Sequence, residues 1–143
     1  MTEAFNVGDV VADRAYRITR ENLVRYAGAS GDFNPIHWND RVADSVGLPG
    51  VIAHGMLTMG LAGRLLTDWI GDPAAIIEYG VRFSRPVVVP DDDDGVDVRV
   101  AATVTDVRAD GLVGVEIEVR VDDQKVLTQA RAVVHPLADS PGS

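Results

Sequence analysis

The chain has 143 residues, 46% of them hydrophobic, and a formal net charge of -9 from 22 acidic against 13 basic residues. That length buries a core without covalent staples, and the absence of cysteine excludes a disulfide framework, a zinc–thiolate site and a cysteine nucleophile. Nucleic acid and a polybasic membrane patch are excluded by the acidic balance and by Lys125 being the one lysine.

The opening Met1 to Asp9 shows no basic stretch followed by an apolar one, so no secretory signal is read and a cytoplasmic protein is expected. Thr19 with Asn22 three positions on is a variant capping box, and Leu23, Tyr26 and Ala27 fall at helical spacing. A helix is predicted over about 20–29, preceded by a possible short strand at Tyr16–Ile18. Ser30 to Pro35 is rich in turn formers and reads as a loop. Asn39-Asp40 opens a helical turn through Val46, closed by Gly47-Leu48-Pro49-Gly50.

Val46 to Gly63 carries no formal charge over 18 positions, yet it contains Pro49, His54 and five glycines, and Arg64 follows. A long helix over 55–70, apolar nearly all round in its first half and therefore enclosed by other elements, is expected rather than a membrane span. Gly71-Asp72-Pro73 ends it. Beyond it the texture turns valine-rich. Strands are predicted over 75–83, 96–104, 113–121 and 126–134, with a turn at Pro90–Gly95 and another at Asp122-Asp123-Gln124. Alternation of apolar and polar residues marks antiparallel strands with one covered face. The class is α+β, an antiparallel sheet packed on one long helix, in a single domain over 1–137 with a frayed tail at 138–143. One exposed sheet edge is expected to favour a dimer.

The chemistry-bearing residues concentrate in Tyr26-Ala27-Gly28-Ala29-Ser30-Gly31-Asp32-Phe33-Asn34-Pro35-Ile36-His37. Pro35 pushes Asn34 into an extended conformation, so Asp32 and His37 can face one point and act on one water or one proton. The competing reading is that Asp32 caps a turn and His37 packs at a helix entrance. In Ile52-Ala53-His54-Gly55-Met56-Leu57, Gly55 at the first turn of the helix leaves N–H groups at the positive end of its dipole, an oxyanion or anion site. Close packing explains the same glycine equally well. His54 reads as a hydrogen-bonded core residue. Asp91–Asp94 lacks the alternation of a calcium loop and reads as a solvated turn, His135 is given no role, and three scattered histidines make no metal pattern.

These two segments, with Ala43 six residues beyond His37, are similar to the paired motifs of the MaoC-like (R)-specific enoyl-thioester hydratases and dehydratases. The stretches 34–40, 46–48 and 52–60 look closer still to the catalytic-subunit branch of the (3R)-hydroxyacyl-acyl-carrier-protein dehydratases of mycolic-acid synthesis. The resemblance implies a hot-dog fold and interconversion of (3R)-hydroxyacyl and trans-2-enoyl thioesters carried on an acyl carrier protein or coenzyme A. It implies Asp32 and His37 as the catalytic pair, Gly55 N–H as donor to the thioester oxygen, and Asn34 as the residue holding the loop. It requires no cofactor and no metal. Met56 and Met59 would border the acyl tunnel, and Arg82 and Arg85 could meet carrier phosphates. A homodimer, or a heterodimer with a related non-catalytic subunit, is implied. The alternatives are a homodimeric (R)-specific enoyl-CoA hydratase of fatty-acid breakdown and a non-catalytic acyl-binding subunit.

Overall fold

The computed structural model describes residues 5–136, so the tail expected at 138–143 lies outside the described residues. Five antiparallel strands form one sheet in the order β1-β3-β4-β5-β2: β1 (Val10–Ile18), β2 (Ile76–Phe83), β3 (Val96–Val107), β4 (Val113–Val121) and β5 (Gln124–Val134). The last three are consecutive hairpin partners, while β1 and β2 flank them. The sheet therefore has two edges, not the one expected.

Period-two alternation delivers the core as predicted. Val98, Val100, Ala102 and Val104 on β3 and Val113, Val115, Ile117 and Val119 on β4 are all buried. On β5 the alternation breaks: Val126 and Leu127 are both buried, and burial resumes at Ala130, Ala132 and Val134. Gln129 has φ of 47°, and the β2–β5 register shifts beside it between Gly80 and Arg82. This is a bulge that re-aims the strand's apolar face.

Helix α3 (Gly55–Ile70) packs on this sheet against β1, β2 and β3, with the bounds the sequence predicts. Thr58, Ala62, Leu65 and Leu66 form its buried stripe at helical spacing, each fully buried leucine contributing about 1.5–3 kcal/mol. The expectation that its first half is enclosed is corrected: Met56 is 60% exposed and Gly60 is open. Gly63 serves packing, because a Cβ there would stand 3.3 Å from the Tyr79 ring.

Helix α1 (Arg20–Ser30) starts where Asn22 Oδ1 accepts from Thr19 N at 2.8 Å, and the short helix α2 (Asp40–Ser45) starts where Asn39 Oδ1 accepts from Val42 N. Arg20 joins the two helices to the segment that follows β2. Its guanidinium donates to both Asp40 carboxylate oxygens and, through Nε, to the Val89 carbonyl at 2.7 Å. The same guanidinium holds the Asp40 carboxyl below the usual carboxylate range.

The predicted turn before β3 is a side-chain-capped one. Asp92 Oδ1 accepts from Asp94 N and Gly95 N, and Gly95 sits at φ of 66° against the Ile18 carbonyl. That hydrogen-bonding role suits a solvated turn.

Candidate active site

Between α1 and α2 the chain forms a loop stitched by its own polar groups. Asp32 Oδ1 accepts from Asn34 N, and Asn34 Oδ1 accepts from Ile36 N. Asn34 thereby caps a single 3-10 turn, Pro35–His37, whose presence the sequence did not reveal. Trp38 Nε1 donates back to the Phe33 carbonyl at 3.0 Å, closing the loop. Asn34 acts on His37 through this turn: among the described hydrogen bonds, its side chain makes none to the imidazole.

An extended segment, Val51–Ala53, runs beside the loop. Ile52 N donates to the Ile36 carbonyl, Ala53 N to the Val87 carbonyl and Val89 N to the Val51 carbonyl. The Ile52 carbonyl accepts from His37 Nδ1 at 2.7 Å. A carbonyl can only accept, so Nδ1 carries the hydrogen and Nε2 of the neutral ring keeps its lone pair. That free nitrogen faces Asp32 Oδ2 across 3.9 Å. The gap is too long for a direct hydrogen bond and suits two groups that touch one intervening oxygen. Asp32 is half-exposed and His37 is buried.

His54 lies beneath this pair. Its ring stacks on His37 with centroids 3.8 Å apart and 20° between planes, and the Tyr26 ring meets it edge-on at 4.7 Å. Its Nε2–H donates to the Asp32 carbonyl at 3.1 Å, while its Nδ1 is buried without a partner among the described residues. Burial, chiefly, pushes the His54 imidazolium below its ordinary range; the Asp32 carbonyl opposes this and a charge on His37 adds to it. The reading of His54 as a hydrogen-bonded core residue agrees with this geometry, but the core it belongs to is the floor of the site. Asp32, His37 and His54 also bring three ligand-type atoms within 4.8 Å, a cluster that the sequence spacing did not suggest. One nitrogen on each ring is given to a carbonyl and the other is left free, an arrangement that proton transfer uses and that metal-ligating histidines share.

Gly55 begins α3 immediately after His54, whose backbone is extended at φ -60° and ψ 132° and whose side chain makes no capping bond. Among the described hydrogen bonds none uses the Gly55 N–H, which stands at the positive end of the helix. A Cβ at Gly55 would stand 3.0 Å from Phe83 Cε1, so a side chain there would push the ring back from its present approach.

Two cavities open on this point. One, of about 290 Å³, is lined by His37, Gly55, Phe83, Arg85, Pro86 and Leu127 among others. The other, of about 380 Å³, is lined by Tyr26, Ser30, Asp32, Gly55, Met56 and Phe83, with His54. Of the tunnel and carrier candidates, Met56 and Arg85 therefore reach the cavities. Met59 and Arg82 line neither: Met59 accepts through its carbonyl from the partly buried Tyr79 hydroxyl at 2.6 Å, and Arg82 is exposed on β2. Phe83 and Ser84 were not singled out from the sequence. An aromatic ending a strand just before Ser-Arg-Pro was the available signal.

The model of the MaoC-like domain matches residues 5–125, and the chain belongs to that family. It is 43% identical over 74 residues to 3-hydroxyacyl-thioester dehydratase X of Mycobacterium tuberculosis, an alignment covering 52% of this chain and 25% of that protein. To the (R)-specific enoyl-CoA hydratase of Rhodospirillum rubrum it is 34% identical over 95 residues, covering 66% and 61%. The chain thus spans between a quarter and three-fifths of these curated relatives. Among solved structures, a MaoC-like dehydratase superposes with a TM-score of 0.87 at 37% identity, covering 91% of this chain and 40% of that one. The (R)-hydratase of A. caviae involved in PHA biosynthesis superposes with a TM-score of 0.82 at 25% identity, covering 94% and 99%. The sheet and α3 are a hot-dog fold, as the resemblance implied.

Proposed function

We propose that the chain is a hydro-lyase that interconverts (3R)-hydroxyacyl and trans-2-enoyl thioesters, carried on coenzyme A or an acyl carrier protein. The observation that carries this reading is the 3.9 Å gap between Asp32 Oδ2 and the lone-pair nitrogen of His37, beside the Gly55 amide. In dehydration, His37 Nε2 takes the C2 proton while Asp32 gives the C3 hydroxyl the proton with which it leaves as water. In hydration the pair holds a water for attack on C3 and returns a proton to C2. Gly55 N–H donates to the thioester oxygen, where enolate-like charge develops. The thioester itself acidifies the C2 proton, so the scheme requires no cofactor.

We further propose a HadB-like subunit in fatty-acid or mycolic-acid elongation, acting in the cytoplasm with a second hot-dog chain; the 43% identity to 3-hydroxyacyl-thioester dehydratase X over 74 residues supports the subunit reading. Met56 at 60% exposure and Ile77 at 54% leave apolar surface around α3 and the β2 edge for such a partner. No helix among the described residues is long and apolar enough to cross a membrane.

The test is hydration of trans-2-butenoyl-CoA by the purified chain alone, followed by loss of enoyl-thioester absorbance and by the stereochemistry of the product. A (3R) product, abolished in Asp32→Asn, is expected of a self-sufficient homodimer. A folded but silent chain that gains activity with a related hot-dog subunit selects the heterodimer. Silence under both conditions overturns the proposal.

A further inference from the structure

Among the described residues, Phe83 is the one whose side chain lines both cavities at the site. Its Cε1, Cδ1 and Cζ stand 3.0, 3.2 and 3.5 Å from where a Cβ on Gly55 would be. The ring therefore lies against Gly55 and borders both cavities, the one lined by Asp32 and the one lined by His37. Anything that touches both members of the pair, with its carbonyl at the Gly55 amide, has to share this space with the ring.

The backbone there is pinned and the side chain is not. Phe83 pairs with Leu127 at the end of β2, and both Ser84 N and Arg85 N donate to the Val126 carbonyl at 3.1 and 3.2 Å. The ring is 53% exposed, so rotation about its Cα–Cβ bond carries it toward solvent without moving the strand. We infer that Phe83 is a specificity gate: its ring rests against Gly55 beside the Asp32–His37 pair and swings away when an acyl thioester binds. The longer the acyl group, the more of the ring's space it claims, so the gate favours short chains. This inference rests on the function proposed above.

Two measurements test it. The first is the ratio of kcat/KM for trans-2-octenoyl-CoA over trans-2-butenoyl-CoA in the wild type, Phe83→Ala, Phe83→Leu and Phe83→Trp. The ratio is expected to rise about tenfold or more in Phe83→Ala, to rise less in Phe83→Leu, and to fall in Phe83→Trp, within the range that hydrophobic pockets discriminate. An unchanged ratio in both Phe83→Leu and Phe83→Trp overturns the gate, even where Phe83→Ala fails to fold. The second places 4-fluorophenylalanine at position 83 alone and adds saturated butyryl-CoA, which cannot be turned over. A shifted fluorine resonance is expected. An unmoved resonance overturns the gate whether or not the chain hydrates enoyl-CoA. A resonance that moves in a chain with no hydratase activity, alone or with a partner, supports the gate and overturns the functional reading instead.

Discussion

The imidazoles of His37 and His54 lie face to face, 3.8 Å between centroids, and each has a different carbonyl as its polar partner. His37 gives its Nδ1 hydrogen to the Ile52 carbonyl, and His54 gives its Nε2 hydrogen to the Asp32 carbonyl. One histidine is thereby left with a free nitrogen at the cavity, and the other holds the loop that supplies the facing carboxylate. A proton on the upper ring is best accommodated when the lower ring stays neutral.

The His54 imidazolium is disfavoured in the folded chain, chiefly by burial. A base whose folded value lies below its unfolded value of 6.5 stabilises the fold fully above that pH and loses the contribution as pH falls below it. Melting temperature is therefore expected to drop more steeply between pH 7 and 5 in the wild type than in His54→Gln. Parallel curves for the two proteins would contradict this account.

The Gly55 amide can be separated from the space around it by comparing two substitutions. Both Gly55→Ala and Gly55→Pro add a Cβ against Phe83, but only proline removes the N–H. Proline is tolerated at the first helical position, and His54 already has the extended backbone a following proline demands. The expected kcat of Gly55→Pro is about 10²–10³-fold below that of Gly55→Ala, measured on trans-2-butenoyl-CoA. Equal rates would remove the amide from the mechanism.

Arg85 lines the His37 chamber and Arg82 does not. Arg85→Ala is expected to raise KM for coenzyme A thioesters by up to about fivefold, the scale of an exposed ion pair, with kcat unchanged. Arg82→Ala should leave both constants in place. Steady-state kinetics at low and high salt distinguish the two, since the Arg85 effect shrinks as salt rises.

Stability has a separate weak point at the entry to β3. A Cβ on Gly95, at φ of 66°, would overlap the Ile18 carbonyl oxygen, which belongs to the backbone and cannot rotate aside. Gly95→Ala is expected to cost at least about 2 kcal/mol in urea unfolding, combining backbone strain with displacement of β1. A loss under 0.5 kcal/mol would show that the turn rebuilds.

Much of this architecture was legible because local signals and the fold agree. Gly71-Asp72-Pro73 stops α3 where helical periodicity fades, and the valine alternation of β3 and β4 reports a sheet covered on one face. Strand β1 was read only at Tyr16–Ile18, because Val10 to Ala15 lies at an edge where just one face is partly covered and alternation is lost. The bulge at Gln129 was invisible, since nothing in Thr-Gln-Ala marks a positive φ. At the site, proline and glycine spacing announced that Asp32 and His37 converge. The stacking of His54 beneath His37 joins residues 17 apart through tertiary packing, so no local pattern carried it. The position of Phe83 over Gly55 is long-range in the same way.

The hydrogen bond that decides which nitrogen of His37 holds its proton is not hung from the loop that carries His37. It hangs from Ile52, in a segment clamped by the 87–89 backbone, which continues from the end of β2. Readiness for proton transfer is thus inherited from the border of the sheet. A change that frays the end of β2 reaches the imidazole's tautomer while leaving every residue of the acid–base pair in the sequence untouched.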